Sequence, residues 1–116
     1  MSFSDVEIIR YTSLIEELIW AKRRPPLHLR EKVMEGQRIK GSEIELFLVR
    51  PYFRDPTQSV ECSIAKTRYV KSRRIWKVFW KRADGKWHRY APRPEVKSLG
   101  SFLRLVKEDA NGCFWG

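Results

Sequence analysis

Apolar and polar positions change period along this chain, from helical spacing to alternation and back. Over residues 4–22, Ile8, Tyr11, Ile15, Leu18 and Ile19 recur at helical spacing, so a first helix with one buried stripe is expected. Ser4-Asp5-Val6-Glu7 is a capping-box pattern, in which the Ser4 hydroxyl accepts the Glu7 amide and Glu7 reaches back. Lys22, Arg23 and Arg24 suit the negative end of the helix dipole, and Pro25-Pro26 stop the helix. Trp20 is placed at the edge of the stripe, and residues 27–31 form a linker. The period then falls to two. Residues 33–40 are expected as a strand, Gly41-Ser42 as a tight turn and residues 43–51 as a second strand. In that strand Ile44, Leu46 and Leu48 point one way, and Glu43, Glu45 and Phe47 the other. Pro51 and Arg54-Asp55-Pro56 mark a loop. Residues 60–71 make a third strand, whose length and imperfect alternation predict a bend or bulge.

Residues 75–82 and 86–91 are dense in β-branched and aromatic residues and predict a hairpin. Its turn can be a two-residue loop at Asp84-Gly85 or a three-residue loop over Ala83-Asp84-Gly85 with a bulge at the glycine. A one-residue slip swaps the faces of the return strand. Trp80 shares a face with Trp87 and Arg89 in the first register, and with His88 and Tyr90 in the second. On the outgoing strand Trp76, Val78 and Trp80 are expected to face the core, leaving Lys77, Phe79 and Lys81 as a contact surface. Pro92 and Pro94 end the return strand. Ser98 then caps a second helix with Leu99, Phe102, Leu103 and Val106 at i, i+3, i+4 and i+7, and Gly112 helps to terminate it. Phe114 and Trp115 are expected to dock rather than stand exposed. The connections are too short for crossover helices. The predicted fold is therefore a single α+β domain over residues 1–116: a five-stranded antiparallel curved meander with both helices on one face.

Charge changes this picture locally. Residues 66–93 carry eleven Lys and Arg against one acid, Asp84, and this net charge of +10 equals that of the whole protein. The stretch also holds six of the fifteen aromatic residues: Tyr69, Trp76, Phe79, Trp80, Trp87 and Tyr90. Basic residues interleaved with aromatics on strands can track a phosphate backbone while bases stack on the rings. Lys71, Arg73, Arg74, Lys77, Lys81 and Arg89 are the candidate phosphate contacts, with Phe79 or Tyr90 as the stacking platform. The expected partner is DNA or RNA bound without sequence preference. The alternative is an interaction module that docks an acidic protein on the same surface. The bland account is that the cations only keep a sheet solvated, but a solvated face mixes both signs, and here acids are nearly missing.

No apolar run approaches the length of a membrane span, and early acids replace any signal-peptide apolar region, so a soluble, cytoplasmic protein with no membrane partner is expected. Two cysteines, Cys62 and Cys113, are too few for a disulfide scaffold.

Arg50-Pro51, Ala65-Lys66-X-Arg68-Tyr69, Trp76-Lys77-Val78-Phe79-Trp80, Lys86-Trp87-His88-X-Tyr90 and the terminal Asp109…Gly112-Cys113-Phe114-Trp115-Gly116 together resemble a family of small bacterial proteins, DUF family 3024. The similarity runs from about Pro25 to the C-terminus, with the first helix its less distinctive part. The resemblance implies a bacterial source and a stand-alone domain, and it implies no activity, so no site residue is carried over.

The residues themselves supply no catalytic constellation. His28 and His88 are the only histidines, and neither spacing pairs one with Cys62 or Cys113 as nucleophile and base. The same four residues lack the close ligand pairs of a zinc site. Glu43, Glu45, Asp55 and Glu61 precede Lys66, as acids precede a lysine in metal-dependent nucleases, but Glu61 and Lys66 would point to opposite faces of a regular strand. No glycine-rich phosphate loop is present. No cofactor is expected.

Overall fold

The computed structural model describes residues 2–21 and 34–114. The expected end of the first helix at Lys22–Arg24, the proline stop, the linker, His28 and Trp115 lie outside these residues. Helix α1 spans Asp5–Ile15 and begins with the capping box: the Ser4 side chain accepts from the Glu7 amide at 3.2 Å, and Glu7 accepts from the Ser4 amide at 2.9 Å. The helix continues over Glu16–Trp20 as a π-helical turn. In a π-turn residue i+5 bonds back to residue i, which rotates Trp20 toward the column of Ile15. Trp20 is accordingly core rather than edge, 3% exposed, with its Nε1 donating to Gln37 at 2.9 Å.

Strands β1 (Met34–Lys40), β2 (Glu43–Tyr52), β3 (Asp55–Val70), β4 (Ile75–Lys81) and β5 (Trp87–Arg89) form an antiparallel meander in chain order. A sixth strand, β6 (Glu95–Val96), pairs with β4 beside Trp76 and Lys77, further along the edge that β5 occupies. Two residues between Pro94 and Lys97 carry no readable period, so this strand is not predicted from local pattern. Strand β3 also begins earlier than residue 60. Its pairing to β2 resumes beyond Pro56, across a register shift at Pro51/Tyr52 that takes up the residues around the proline. The bulge expected in β3 is at Ile64, because Leu46 faces Ala65 while Phe47 faces Ser63.

Helix α2 (Leu99–Glu108) starts at Ser98, whose hydroxyl accepts the Ser101 amide at 3.1 Å. It ends at Asp109, which takes the left-handed conformation at φ +43°, while Gly112 serves the turn that follows. The stripe Leu99, Phe102, Leu103 and Val106 is buried, as the spacing requires. One core joins this stripe and Ile15, Ile19 and Trp20 of the N-terminal helix to Ile44, Leu46, Ala65, Trp76 and Val78 of a single sheet face. Phe3 and Tyr11 pack on the Trp76 ring at centroid distances of 5.6 and 5.4 Å. Phe114 docks as expected, 4.8 Å from Tyr90. Thr67, in the middle of the covered face, donates its hydroxyl to the Lys77 carbonyl at 2.8 Å, so it is buried without an unmet polar group.

With the helices on one side, β1–β5 present their other side outward. That outer face is the frame of the site.

Candidate nucleic-acid interface

Strand parity assigns each side chain to its face. On β4, Trp76 and Val78 are buried and Trp80 is half-buried on the covered side, which leaves Lys77, Phe79 and Lys81 outward. The β4–β5 turn decides what joins them. The Arg82 amide donates the closing bond to the Lys86 carbonyl at 3.1 Å, the Gly85 amide donates to the Arg82 carbonyl at 2.9 Å, and Gly85 has φ +77°. This is the three-residue loop with its glycine bulge. Phe79 therefore faces Arg89, Trp80 faces His88 and Lys81 faces Trp87. Trp87 and Arg89 lie on the outer face, and His88 on the covered one. Asp84 holds the loop by accepting from the Lys86 amide and facing His88 Nε2, each at 2.8 Å. The Lys86 amide foremost, then His88, keeps the Asp84 carboxyl below its ordinary value.

From β3, the outer face receives Lys66, opposite Phe79, and Arg68, opposite Lys77. The result is two rings interleaved with cations. Lys66 Nζ lies 5.4 Å from the centre of Phe79 and 5.1 Å from that of Trp87. Lys81 Nζ lies 5.7 Å from Trp87, and the Arg68 guanidinium 5.9 Å from Phe79. Among the described residues, no carboxylate pairs with Lys66, Lys77, Lys81 or Arg89.

The other half of the same face is different. Arg38 on β1 donates to Glu45 at 2.9 Å and to Glu61 at 3.0 Å, and its guanidinium lies 4.8 Å over Phe47. The Phe47 ring crosses Gly36 so closely that a Cβ there would meet it at 2.7 Å. Arg68 Nε donates to Glu43 at 2.8 Å. Glu45 stands opposite Lys66 in the register, yet its carboxylate turns to Arg38 and to the Ser63 hydroxyl. The acids of this face are thus tied to arginines, Glu43, Glu45 and Glu61 on β2 and β3 to Arg68 and Arg38, and Glu95, opposite Lys77 on β6, to Arg73, while the cations without a carboxylate partner gather with the rings over β3–β5.

Of the candidates from sequence, the fold brings together Lys77, Phe79, Lys81 and Arg89. Lys71, Arg73 and Arg74 stand exposed in the β3–β4 turn at one end of the sheet. Arg73 pairs there with Glu95 at 2.8 Å, and Arg74 lines a cleft with Glu7, Tyr11 and Lys97 on the helix side. Tyr90 requires a correction. It is 3% exposed, packs on Phe114 and accepts a bond from Asn111 at 2.8 Å, so no base can stack on it. Lys66 and Trp87 are the residues that sequence reasoning left out. The second hairpin register signals Trp87, whereas Lys66 depends on the β3–β4 pairing, which no local pattern reveals.

The bulge at Ile64 also overturns the separation of Glu61 from Lys66. The extra residue restores parity, and both lie on the outer face. Glu61 and Glu45 there hold Arg38, and no group of three His, Cys, Asp or Glu able to hold a metal occurs among the described residues. Cys62 and Cys113 are free thiols; Cys113 faces the Asn111 carbonyl at 3.8 Å and His88 faces Asp84. Among the described residues, no helix is long and apolar enough to cross a membrane.

These features define an α+β antiparallel-sheet domain whose helices cover one face and whose uncovered face carries a basic, aromatic half. The chain belongs to the family described as Domain of unknown function (DUF3024), whose model matches residues 3–116 and so takes in the first helix as well. No curated protein and no solved structure matches it.

Proposed function

We propose that the outer face of β3, β4 and β5 binds nucleic acid without sequence preference. Lys66, Lys77, Lys81 and Arg89 neutralise phosphates, while Phe79 and Trp87 meet bases. The observation that supports this is the separation of charge within one sheet face. A surface built only for solubility mixes both signs, whereas this one ties Glu43, Glu45 and Glu61 to Arg68 and Arg38, ties Glu95 to Arg73, and leaves Lys66 and Lys81 without a carboxylate partner beside two rings. An acidic protein would use the same cations but has less need of two aromatic rings among them. Contacts of this kind carry no base information, hence the lack of sequence preference.

The test is fluorescence anisotropy of a labelled oligonucleotide at low salt, with unlabelled oligonucleotide, polyglutamate and a heparin-like polyanion as competitors. Displacement by oligonucleotide well ahead of polyglutamate at equal charge is the expected result. Absence of binding at low salt overturns the proposal. Displacement by polyglutamate that matches or exceeds that by oligonucleotide also overturns it, in favour of an acidic protein partner.

A further inference from the structure

We infer that this face is built for a single strand, with two successive bases splayed onto Phe79 and Trp87 and Lys66 displaced to the phosphate between them; the inference rests on the nucleic-acid reading above. Phe79 is opposite Arg89, and Trp87 is opposite Lys81, so the two aromatic residues are diagonal neighbours on adjacent antiparallel strands. Such neighbours are about 7–8 Å apart. Bases stacked in a duplex rise only ~3.4 Å per nucleotide along each strand, so a stacked pair of neighbours cannot place one base on each ring. The strand must be stretched and its bases unstacked. A duplex has its base faces already occupied and can offer the rings nothing but its backbone.

Lys66 marks the place the bases would take. Its ammonium lies within cation–π reach of both rings, nearly equidistant from them. It has this position although Glu45 is its direct cross-strand neighbour, because Arg38 and Ser63 hold the Glu45 carboxylate. Lys66 is thus kept by the rings rather than by an ion pair, and its long stem lets the charge move aside. A base entering over either ring takes the space of the ammonium and brings a phosphate within its reach. Arg68 cannot exchange in this way, being fastened to Glu43 at 2.8 Å. Lys81, Lys77 and Arg89 surround the pair and are positioned for the flanking phosphates. On the outer face of β3–β5, ring faces and cations without a carboxylate partner come together at this point.

The experiment compares, on the intact wild-type protein at one low salt concentration, an ordinary single strand, an abasic strand of equal length and a duplex. DNA and RNA strands are run in parallel. The ordinary strand should bind at least about tenfold tighter than the abasic strand and the duplex, since stacking of this kind is worth several-fold or more per base. Phe79→Ala and Trp87→Ala should each remove most of that preference. If either variant fails to fold, the wild-type comparison with the abasic strand still decides the matter. Equal binding of ordinary and abasic strands overturns the inference and leaves phosphate binding standing. Absence of binding to every strand overturns the nucleic-acid reading itself, and the inference with it.

Discussion

Arg74 holds a backbone conformation that favours glycine, with φ +52° in the β3–β4 turn. A left-handed residue with a Cβ is disfavoured by roughly 1–2 kcal/mol, and glycine gives back part of that through its freer unfolded chain. Arg74→Gly should therefore raise the unfolding free energy by about 0.5–1 kcal/mol, read from urea melts. Asp109 has the same conformation at φ +43°, yet the corresponding change should destabilise. Its carboxylate accepts the Phe114 amide at 3.0 Å, and losing a bond to a charged group costs about 1.5–3 kcal/mol, more than the relieved strain. The same distinction limits what single residues disclose in a sequence. Phe79 and Tyr90 look alike there, as aromatics amid cations. One lies under Lys66 on the outer face, and the other packs on Phe114 in the core. Only the strand register separates them, and Trp87 joins Phe79 for the same reason.

Elements were legible where one period governs the whole segment. The capping box and partly buried apolar stripe of α1, the alternation of β2 and β4 and the stripe of α2 are signals of this kind. Legibility failed where a single residue alters the count: the π-turn that turns Trp20 inward, the bulge at Ile64 and the hairpin turn at Gly85. Nothing lies within 4 Å of a Cβ built on Gly85, so Gly85→Ala introduces no clash. Its loss should be purely conformational, about 1–2 kcal/mol in the same melts. A much larger loss would mean that the β4–β5 pairing had slipped as well. In α1, the bond from the Ser4 amide is the chief cause that lowers the Glu7 carboxyl below its ordinary value. A carboxyl depressed in the folded state contributes stability that is present above its unfolded value and is lost as pH falls through the folded one. Glu7→Gln, which can still close a capping box, should leave the neutral melt nearly unchanged and flatten the acid limb of the stability curve. Parallel acid limbs for the two proteins would show that Glu7 contributes no such linkage.

At the scale of the molecule, the sheet separates two demands that a chain with an excess of ten cations must reconcile. The covered face joins both helices in one core, and the outer face divides into a half whose acids hold Arg38 and Arg68 and a cationic half bounded at its β6 edge by the Glu95–Arg73 pair. That division can be tested from both sides. If the cationic half holds phosphates, log K should fall linearly with log salt by about 0.7 per phosphate contacted on a single strand. Changing Lys77 and Lys81 together to Glu should lower the slope by roughly 1.4, two contacts at that rate, and weaken all sequences alike. Changing Glu45 and Glu61 together to Gln acts in the opposite sense. It removes two acids from the face, leaves the Arg38 guanidinium without its carboxylates and should tighten binding while steepening the salt dependence. These four side chains are at least partly exposed at the sheet surface, so melts of both double variants should remain near that of the wild type. Tightening by the glutamine pair together with weakening by the glutamate pair is the result expected of one continuous electrostatic surface. If the glutamine pair leaves affinity unchanged while the glutamate pair abolishes it, the acids near β1 and β2 do not shape the site, and the contact is confined to β4 and β5.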